Sequence, residues 1–425
     1  MRSNPLVERL ASDFTEPVRD PVWGSIYLSP ALERLVASPP FAKLSGVRQL
    51  GPAHFVYPGA THTRYAHSLG VFHTARRLAA ALAARGSLGF VSAEGLSSFL
   101  VAALCHDLGH FPFAHSLKEL PLAEHEALGA RLLLEEPLRS LAGLAGADPE
   151  AAAAIVDPAL PAGDSREIAF FRGALSGVLD PDKLDYLNRD AYFCGVPYGA
   201  QDTDYVLQRA ELGPGDRIGV GEKGLMSVEG LLFAKYLMYR AVYWHKGVRA
   251  PTAMVKKAVL LALRDGVLEA EELYGLDDAG FFGLLRARAR ERGFPPFALA
   301  EAVLQGQSYP VLLDLPFDGA DPRHRALLGL EARLGFEEEL AARISARGPA
   351  LGPLDLIVDI PEPVSFESDL PVLGEEGEGS LPFSESSTVF SPAVVSGFTR
   401  VLRRIRVLAR LPSEAAVKAA REALG

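Results

Sequence analysis

The sequence predicts a mainly α-helical protein. Three observations carry that prediction. Ala and Leu are heavily used while aromatics are only 8% of 425 residues. Apolar positions recur at helical spacing in one stretch after another. Strand-like composition is confined to a few short runs.

Taken in order, residues 20–60 hold turn signals and two β-like runs, GSIYL and HFVYP. THTRYAHSLGVFHTARRLAAALAARG reads as a helix, with Leu69, Phe72, Leu78 and Leu82 at roughly helical spacing and Gly86 as its stop. AEGLSSFLVAALCHDLGH is a second helix, apolar on nearly all sides and therefore buried. AEHEALGARLLLEE is a third. FFRGALSGVLDPDKLDYLNRDAYF and SVEGLLFAKYLMYRAVYWHKGVRAPTAMVKKAVLLALRDG follow as longer helical stretches. From about 250 to 346, helical patterns alternate with Gly/Pro breaks.

Near 353 the character shifts. PLDLIVDIP has strand composition, and EPVSFESDLPVLGEEGEGSLPFSESS is an acidic loop rich in Pro, Gly and Ser. VVSGFTRVLRRIRVLARLP and SEAAVKAAREALG close the chain as helix or strand plus helix. The expected division is a helical domain over 1–250 with short N-terminal strands, a helical extension over 251–346, and a small C-terminal α+β module with an acidic loop over 347–425. No internal repeat is visible.

Composition narrows the function. Hydrophobic residues at 48% and charged residues at 23% are an ordinary globular balance. A net charge of −10 without long Lys/Arg blocks argues against duplex nucleic acid as a main partner, because that binding rests on neutralising phosphates. Cys105 and Cys194 have no metal-ligand spacing and suggest a reducing compartment. MRSNPLVERLASDF has no apolar core of a signal peptide, and no run of about 18 apolar residues occurs. The expectation is a cytoplasmic protein with no membrane partner.

Eight of the ten histidines fall between His54 and His125. The stretch LVAALCHDLGHFPFAH alone holds three of them and sets His106 directly before Asp107. A lone histidine on an apolar helix is usually a satisfied core residue. The pattern His-Asp-x-x-His is harder to obtain by chance when another His-bearing helix precedes it and an acid-rich helix follows. His106 and Asp107 can grip one ion lodged beside their helix. His67 in RYAHSLG and Asp182 in LDPDKLDYLNRD are candidates to complete the set. Two histidines and two aspartates suit a borderline divalent metal: Mn, Fe, Co, Ni or Zn. Such an ion keeps sites open for water and a phosphate oxygen.

RYAHSLG, HDLGH, PFAH, EHE and LDPDKLDYLNRD together resemble the HD-domain superfamily. Their order is similar to that of the deoxynucleoside triphosphate (dNTP) triphosphohydrolases, over roughly residues 18 to 255. The resemblance implies an HD-type helical core and metal ligation by His67, His106, Asp107 and Asp182. It implies phosphate contacts from Arg64, His110, His115 and Lys183, with Mg accompanying the substrate. His115 would serve as general acid to the leaving 5′-oxygen, with His125 behind it in proton transfer. Arg64 lies three residues before His67 and shares its helix face, and its fork suits phosphate oxygens. His110, four residues after His106, is expected to share that residue's face.

At the nucleoside end, Gln49 and Leu50 match the family's sugar-contacting pair. A leucine against C2′ excludes a ribose hydroxyl by sterics and by leaving it unpaired. Tyr186 and Asp190, four apart on one helix, would receive the 3′-hydroxyl. Tyr243 would pack on sugar or base, and Lys235 stands where the family often has a phosphate-binding Arg. His62 and His73 read as structural. A homo-oligomer, dimer or tetramer, is implied by the family.

Two departures stand out. Lys118 occupies a position where the family usually carries an acid beside the catalytic histidine, and Glu119 on a helix would point about 100° away. Ala37 and Ser45 stand where the resemblance places the Asp and Arg that read guanine in the activating site of the family's mammalian member. The resemblance therefore implies dNTP hydrolysis without that guanine switch. The alternatives are an HD phosphatase or phosphodiesterase acting on another nucleotide, and a weakly catalytic nucleotide sensor. Gln49 and Leu50 argue against the first of these, and the intact metal ligands against the second.

Overall fold

The computed structural model describes residues 5–346, 348–366, 369–374 and 379–425. The fold is mainly α. Two long helices form the centre: Arg64–Ala84, capped by the Thr63 hydroxyl, and Ala93–Cys105, capped by Ser92. Both are buried around much of their circumference, as the unbroken apolar run of the second requires. Helices His125–Leu133, Pro149–Val156, Arg166–Leu175 and Pro181–Cys194 pack around them into one hydrophobic core.

The stretch read as a helix through HDLGH ends earlier. Helix Ala93–Cys105 stops at its C-cap, His106, and Asp107 to His110 form a tight turn in which the His110 amide donates to the Asp107 carbonyl at 3.0 Å. His110 therefore reaches His106's neighbourhood through a turn and not along a helix face. Gly109 lets helix His125–Leu133 pack against that turn: a Cβ there would meet the His125 carbonyl oxygen at 2.0 Å.

Two long helical stretches are divided. The first splits into Arg166–Leu175 and Pro181–Cys194 around a loop whose Asp180 caps the second helix. The other splits into Leu225–Met238, a π-turn over Tyr239–Tyr243, and Lys246–Arg264. HFVYP, expected to be β-like, forms the end of a 3₁₀ turn over Gly51–Phe55 and continues as irregular turn. Gly51 at φ +48° and Pro52 set its start, and a ladder partner is replaced by turn hydrogen bonds. GSIYL is a strand, Gly24–Leu28, paired antiparallel with Glu16–Asp20.

The 251–346 stretch, expected to be helical, contains a strand at Val311–Pro316. It forms the edge of a three-stranded antiparallel sheet with Arg404–Ala409 in the centre and Leu356–Asp359 on the other side. Helices Leu330–Ser345 and Glu414–Leu424 cover this sheet and share its core. A separate four-stranded sheet orders Ala210–Leu212, Ile218–Gly221, Pro371–Leu373 and Ser380–Pro382, so the tail contributes to two sheets. Part of the acidic loop lies outside the described residues. No described helix is long and apolar enough to cross a membrane.

Candidate metal centre and nucleotide cavity

A cavity of about 700 Å³ opens where the central helices meet Pro181–Cys194, the π-turn and the segment 361–365. His67, His106 and Asp107 lie on its wall with ligand atoms within 4.8 Å of one another. Asp182, in the first turn of its helix, joins them: its Oδ1 is 3.0 Å from His67 Nε2 and 3.8 Å from His106 Nε2. The other ring nitrogens are already committed. His67 Nδ1 donates to Asp185 Oδ2 at 2.8 Å, and His106 Nδ1 to the Ala103 carbonyl at 2.9 Å. Both Nε2 atoms therefore face the carboxylates, and His106 Nε2 is buried with no hydrogen-bond partner among the described residues.

Burial disfavours charge on His67, but its bonds to Asp182 and Asp185 outweigh this and push the imidazole up to about 10. The carboxylates thus call for a positive charge at Nε2, which a proton or a metal ion can supply. Burial would raise Asp107, yet Arg64, His106 and His110 hold it well below the usual carboxylate range. An orphaned buried nitrogen, two oriented imidazoles and two ionised carboxylates fit a divalent metal.

Sequence reading missed the support behind His67. Asp185 accepts from Arg189 Nε at 2.8 Å and Nη2 at 3.0 Å and from the Trp23 indole, and Arg189 Nη1 reaches Asp20 at 2.7 Å. Gly70 makes room, since a Cβ there would meet Asp185 Oδ1 at 1.8 Å. The available signal was the spacing Asp182, Asp185, Arg189, which puts all three on neighbouring turns.

Arg64 donates to Asp107 Oδ2 at 2.6 Å and lines the cavity beside His67. His115 and His125 also line it, with their rings edge to face at 5.2 Å. His110 does not. It is fully buried behind Asp107, with its ring stacked 3.8 Å from that of His125 and its Nε2 3.1 Å from Asp107 Oδ1. Burial and Arg64 lower His115 to about 4; burial and His115 lower His125 to about 3. His125 Nδ1 stands 3.1 Å from Glu126 Oε2, so an acid adjoins this pair from position 126. Lys118 pairs with Glu124 at 3.3 Å. The helix carrying His115 ends at Leu117, so Glu119 is free of helical geometry and turns to Lys256 and Arg333.

Gln49, Leu50, Tyr186, Asp190 and Tyr243 line the same cavity. Gln49 Oε1 is buried without a hydrogen-bond partner among the described residues. Asp190 accepts from the Tyr243 hydroxyl at 2.7 Å and contacts His62 Nε2 at 2.8 Å. His62, read as structural, therefore holds a cavity carboxylate in place. Lys183 lines the cavity with its amine on Asp180 at 2.6 Å and the Gly177 carbonyl at 2.9 Å, and Lys235 donates to the Ser365 carbonyl at 2.7 Å. Ala37 is an exposed helix C-cap, and the Ser45 hydroxyl is spent on the Ala42 carbonyl at 2.7 Å.

Residues 64–160 match the HD domain, and residues 202–294 match the HD associated region. The chain is 29% identical over 373 residues to an uncharacterized protein of Methanocaldococcus jannaschii, covering 85% of this chain and 72% of that protein. It is 27% identical over 283 residues to the deoxynucleoside triphosphate triphosphohydrolase SAMHD1 of Bos taurus, covering 59% of this chain and 48% of the enzyme. A hypothetical protein of Aquifex aeolicus superimposes with a TM-score of 0.70 at 25% identity, covering 96% of this chain and 99% of that one. Residues 64–160 carry an HD domain, and the chain resembles the HD-superfamily phosphohydrolases, the dNTP triphosphohydrolases among them.

Proposed function

We propose that this protein hydrolyses dNTPs to a deoxynucleoside and inorganic triphosphate. One observation supports this reading above the others: the His/Asp cluster and the Gln49–Leu50, Tyr243–Asp190 group share one cavity of about 700 Å³. A mononucleotide phosphatase needs no such sugar-facing wall. A divalent metal held by His67, His106, Asp107 and Asp182 would supply Lewis-acid polarisation of a phosphoryl oxygen and an acidified water.

The protein's own groups divide the remaining work. Arg64 and Lys183 offset phosphate charge, with Lys235 further along the wall. Asp190, fixed by His62, and Tyr186 receive the 3′-hydroxyl, while Leu50 closes the 2′ side. His115 protonates the leaving 5′-oxygen. Its ring is neutral beside Arg64, and the arriving triphosphate reverses that bias and favours the imidazolium. His125, backed by Glu126, exchanges the proton with His115.

The test is incubation with each dNTP and rNTP plus Mn or Co and Mg, followed by separation of products. Deoxynucleoside and inorganic triphosphate are expected. Release of orthophosphate or pyrophosphate would assign the chain to the phosphatase alternative, and no turnover would leave the sensor. With Ala37 and Ser45 in place of guanine readers, dTTP hydrolysis is expected to be unchanged by GTP. A saturable activation by GTP would overturn that part. The resemblance also makes a dimer or tetramer the expected assembly, which light scattering checks against 45.6 kDa for one chain.

A further inference from the structure

The loop that carries His115 has little local structure to hold it. The helix Ala114–Leu117 is a single turn and begins from Phe113 in a left-handed conformation, φ 63°. A single turn is not stable on its own. Leu117 and Leu120 are buried in a hydrophobic cluster that includes Met254, Val255 and Phe281. Between them, Glu119 reaches the partners that fix the loop in direction as well as depth.

Arg333 Nη2 donates to Glu119 Oε1 at 2.5 Å and Nη1 to Oε2 at 3.1 Å, and Lys256 Nζ also binds Oε2. Arg333 is itself immobilised. Its Nε donates to the Leu327 carbonyl at 2.6 Å, Nη2 also donates to the Leu328 carbonyl at 3.1 Å, and the residue is buried. It sits on helix Leu330–Ser345, which covers the three-stranded sheet and lies outside both regions matched to the HD family.

The same module touches the cavity elsewhere. Asp359 binds Arg249 on the cavity wall, and Arg406 donates to the carbonyl of Trp244, the residue after Tyr243, at 2.9 Å. The module therefore grips both the His115 loop and the Tyr243 segment through buried, directional polar contacts. Oily contacts would fix the loop's depth but tolerate sliding; a two-pronged Arg–carboxylate contact fixes orientation.

We propose that Arg333 is a positioning residue for His115, acting through Glu119, so that the C-terminal sheet module sets the geometry of the active site. This rests on His115 taking part in hydrolysis. Arg333 does not itself line the cavity and meets its wall through Glu119, so its expected effect is on turnover more than on binding.

The experiment compares the full chain with Arg333→Met, Arg333→Lys and Glu119→Gln. Steady-state dNTP kinetics, bound metal, and amide hydrogen exchange over 114–124 are measured for each. Arg333→Met is expected to lower kcat at least tenfold with KM within twofold and metal content unchanged. Exchange over 114–124 should rise at least tenfold, while 64–84 and 93–105 stay protected. Arg333→Lys, which keeps the charge but loses one prong, should fall between Arg333→Met and wild type. Glu119→Gln should reproduce the local pattern of Arg333→Met. A folded Arg333→Met with wild-type kcat, or with exchange raised uniformly, overturns the proposal. Global unfolding of all three variants also overturns it and assigns the cluster to core stability. If the wild type hydrolyses no dNTP, the proposed function fails, and exchange over 114–124 still decides whether Arg333 holds the loop.

Discussion

His67 and Asp185 are joined by a 2.8 Å bond from the ring's Nδ1 to a carboxylate that Arg189 holds with two nitrogens. The bond fixes the ring's tautomer and points Nε2 at Asp182 and Asp107. A carboxylate behind a metal-binding imidazole also makes it a stronger donor.

Asp185→Asn keeps the size and an acceptor but loses the charge that both His67 and Arg189 require. Metal affinity should fall by about 10–100-fold, read by competition against a chelator of known strength. Asp185→Ala should in addition cost on the order of 3–5 kcal/mol of stability, because Arg189 is left buried with Asp20 alone. Unchanged metal affinity in Asp185→Asn would show that the ring is oriented by packing.

The His/Asp cluster was legible because its four members lie in short, recognisable segments, although His106 and Asp107 sit just past the end of their helix and not on it. Asp185 was not, since an acid on an acid-rich helix reads equally well as solvated surface, and only the fold shows that it is fully buried. Glu119 and Arg333 are 214 positions apart, and no local pattern encodes that meeting. Val311–Pro316 was lost for a different reason: a short apolar run has the same appearance in a buried strand and in a helix.

Leu50 is the expected gate against ribose. Leu50→Ala opens the wall beside C2′ and should raise the rNTP-to-dNTP ratio of kcat/KM at least about tenfold, the scale of one lost steric and apolar contact. Competition between GTP and dGTP in a single reaction measures it. Equal use of the two by the wild type would remove the gate.

His73 lies outside the site and gives stability a pH dependence. Burial, then Arg77 and Arg76, lower its imidazole from 6.5 to about 4. The unfolded chain therefore binds a proton below about pH 6.5 that the folded chain refuses until about pH 4. Stability contributed by the neutral ring is present above 6.5 and is lost as pH falls through that window. His73→Leu removes the proton uptake and should flatten the dependence by on the order of 2 kcal/mol between pH 7 and 4. Urea midpoints at the two pH values give the difference. Equal slopes for wild type and variant would refute it.

Phe113 combines a favourable side chain with an unfavourable backbone. Its ring meets Phe281 at 5.6 Å and Phe282 at 6.1 Å, while its φ of 63° is a region that only glycine enters freely. Truncation to Ala and to Gly loses the same aromatic contacts, but Ala keeps the strained backbone and Gly relieves it. In an ordinary helix Gly is the worse residue by about 1 kcal/mol. Here the order should invert, with Phe113→Gly more stable than Phe113→Ala by on the order of 1 kcal/mol. Activity should follow the opposite rule. A glycine frees the turn immediately before Ala114 and His115, so Phe113→Gly is expected to have the lower kcat of the two despite its greater stability. Denaturant titration and kinetics on the same two variants test both halves. An Ala variant that is both more stable and less active than the Gly variant would show that the left-handed turn neither stores strain nor positions His115.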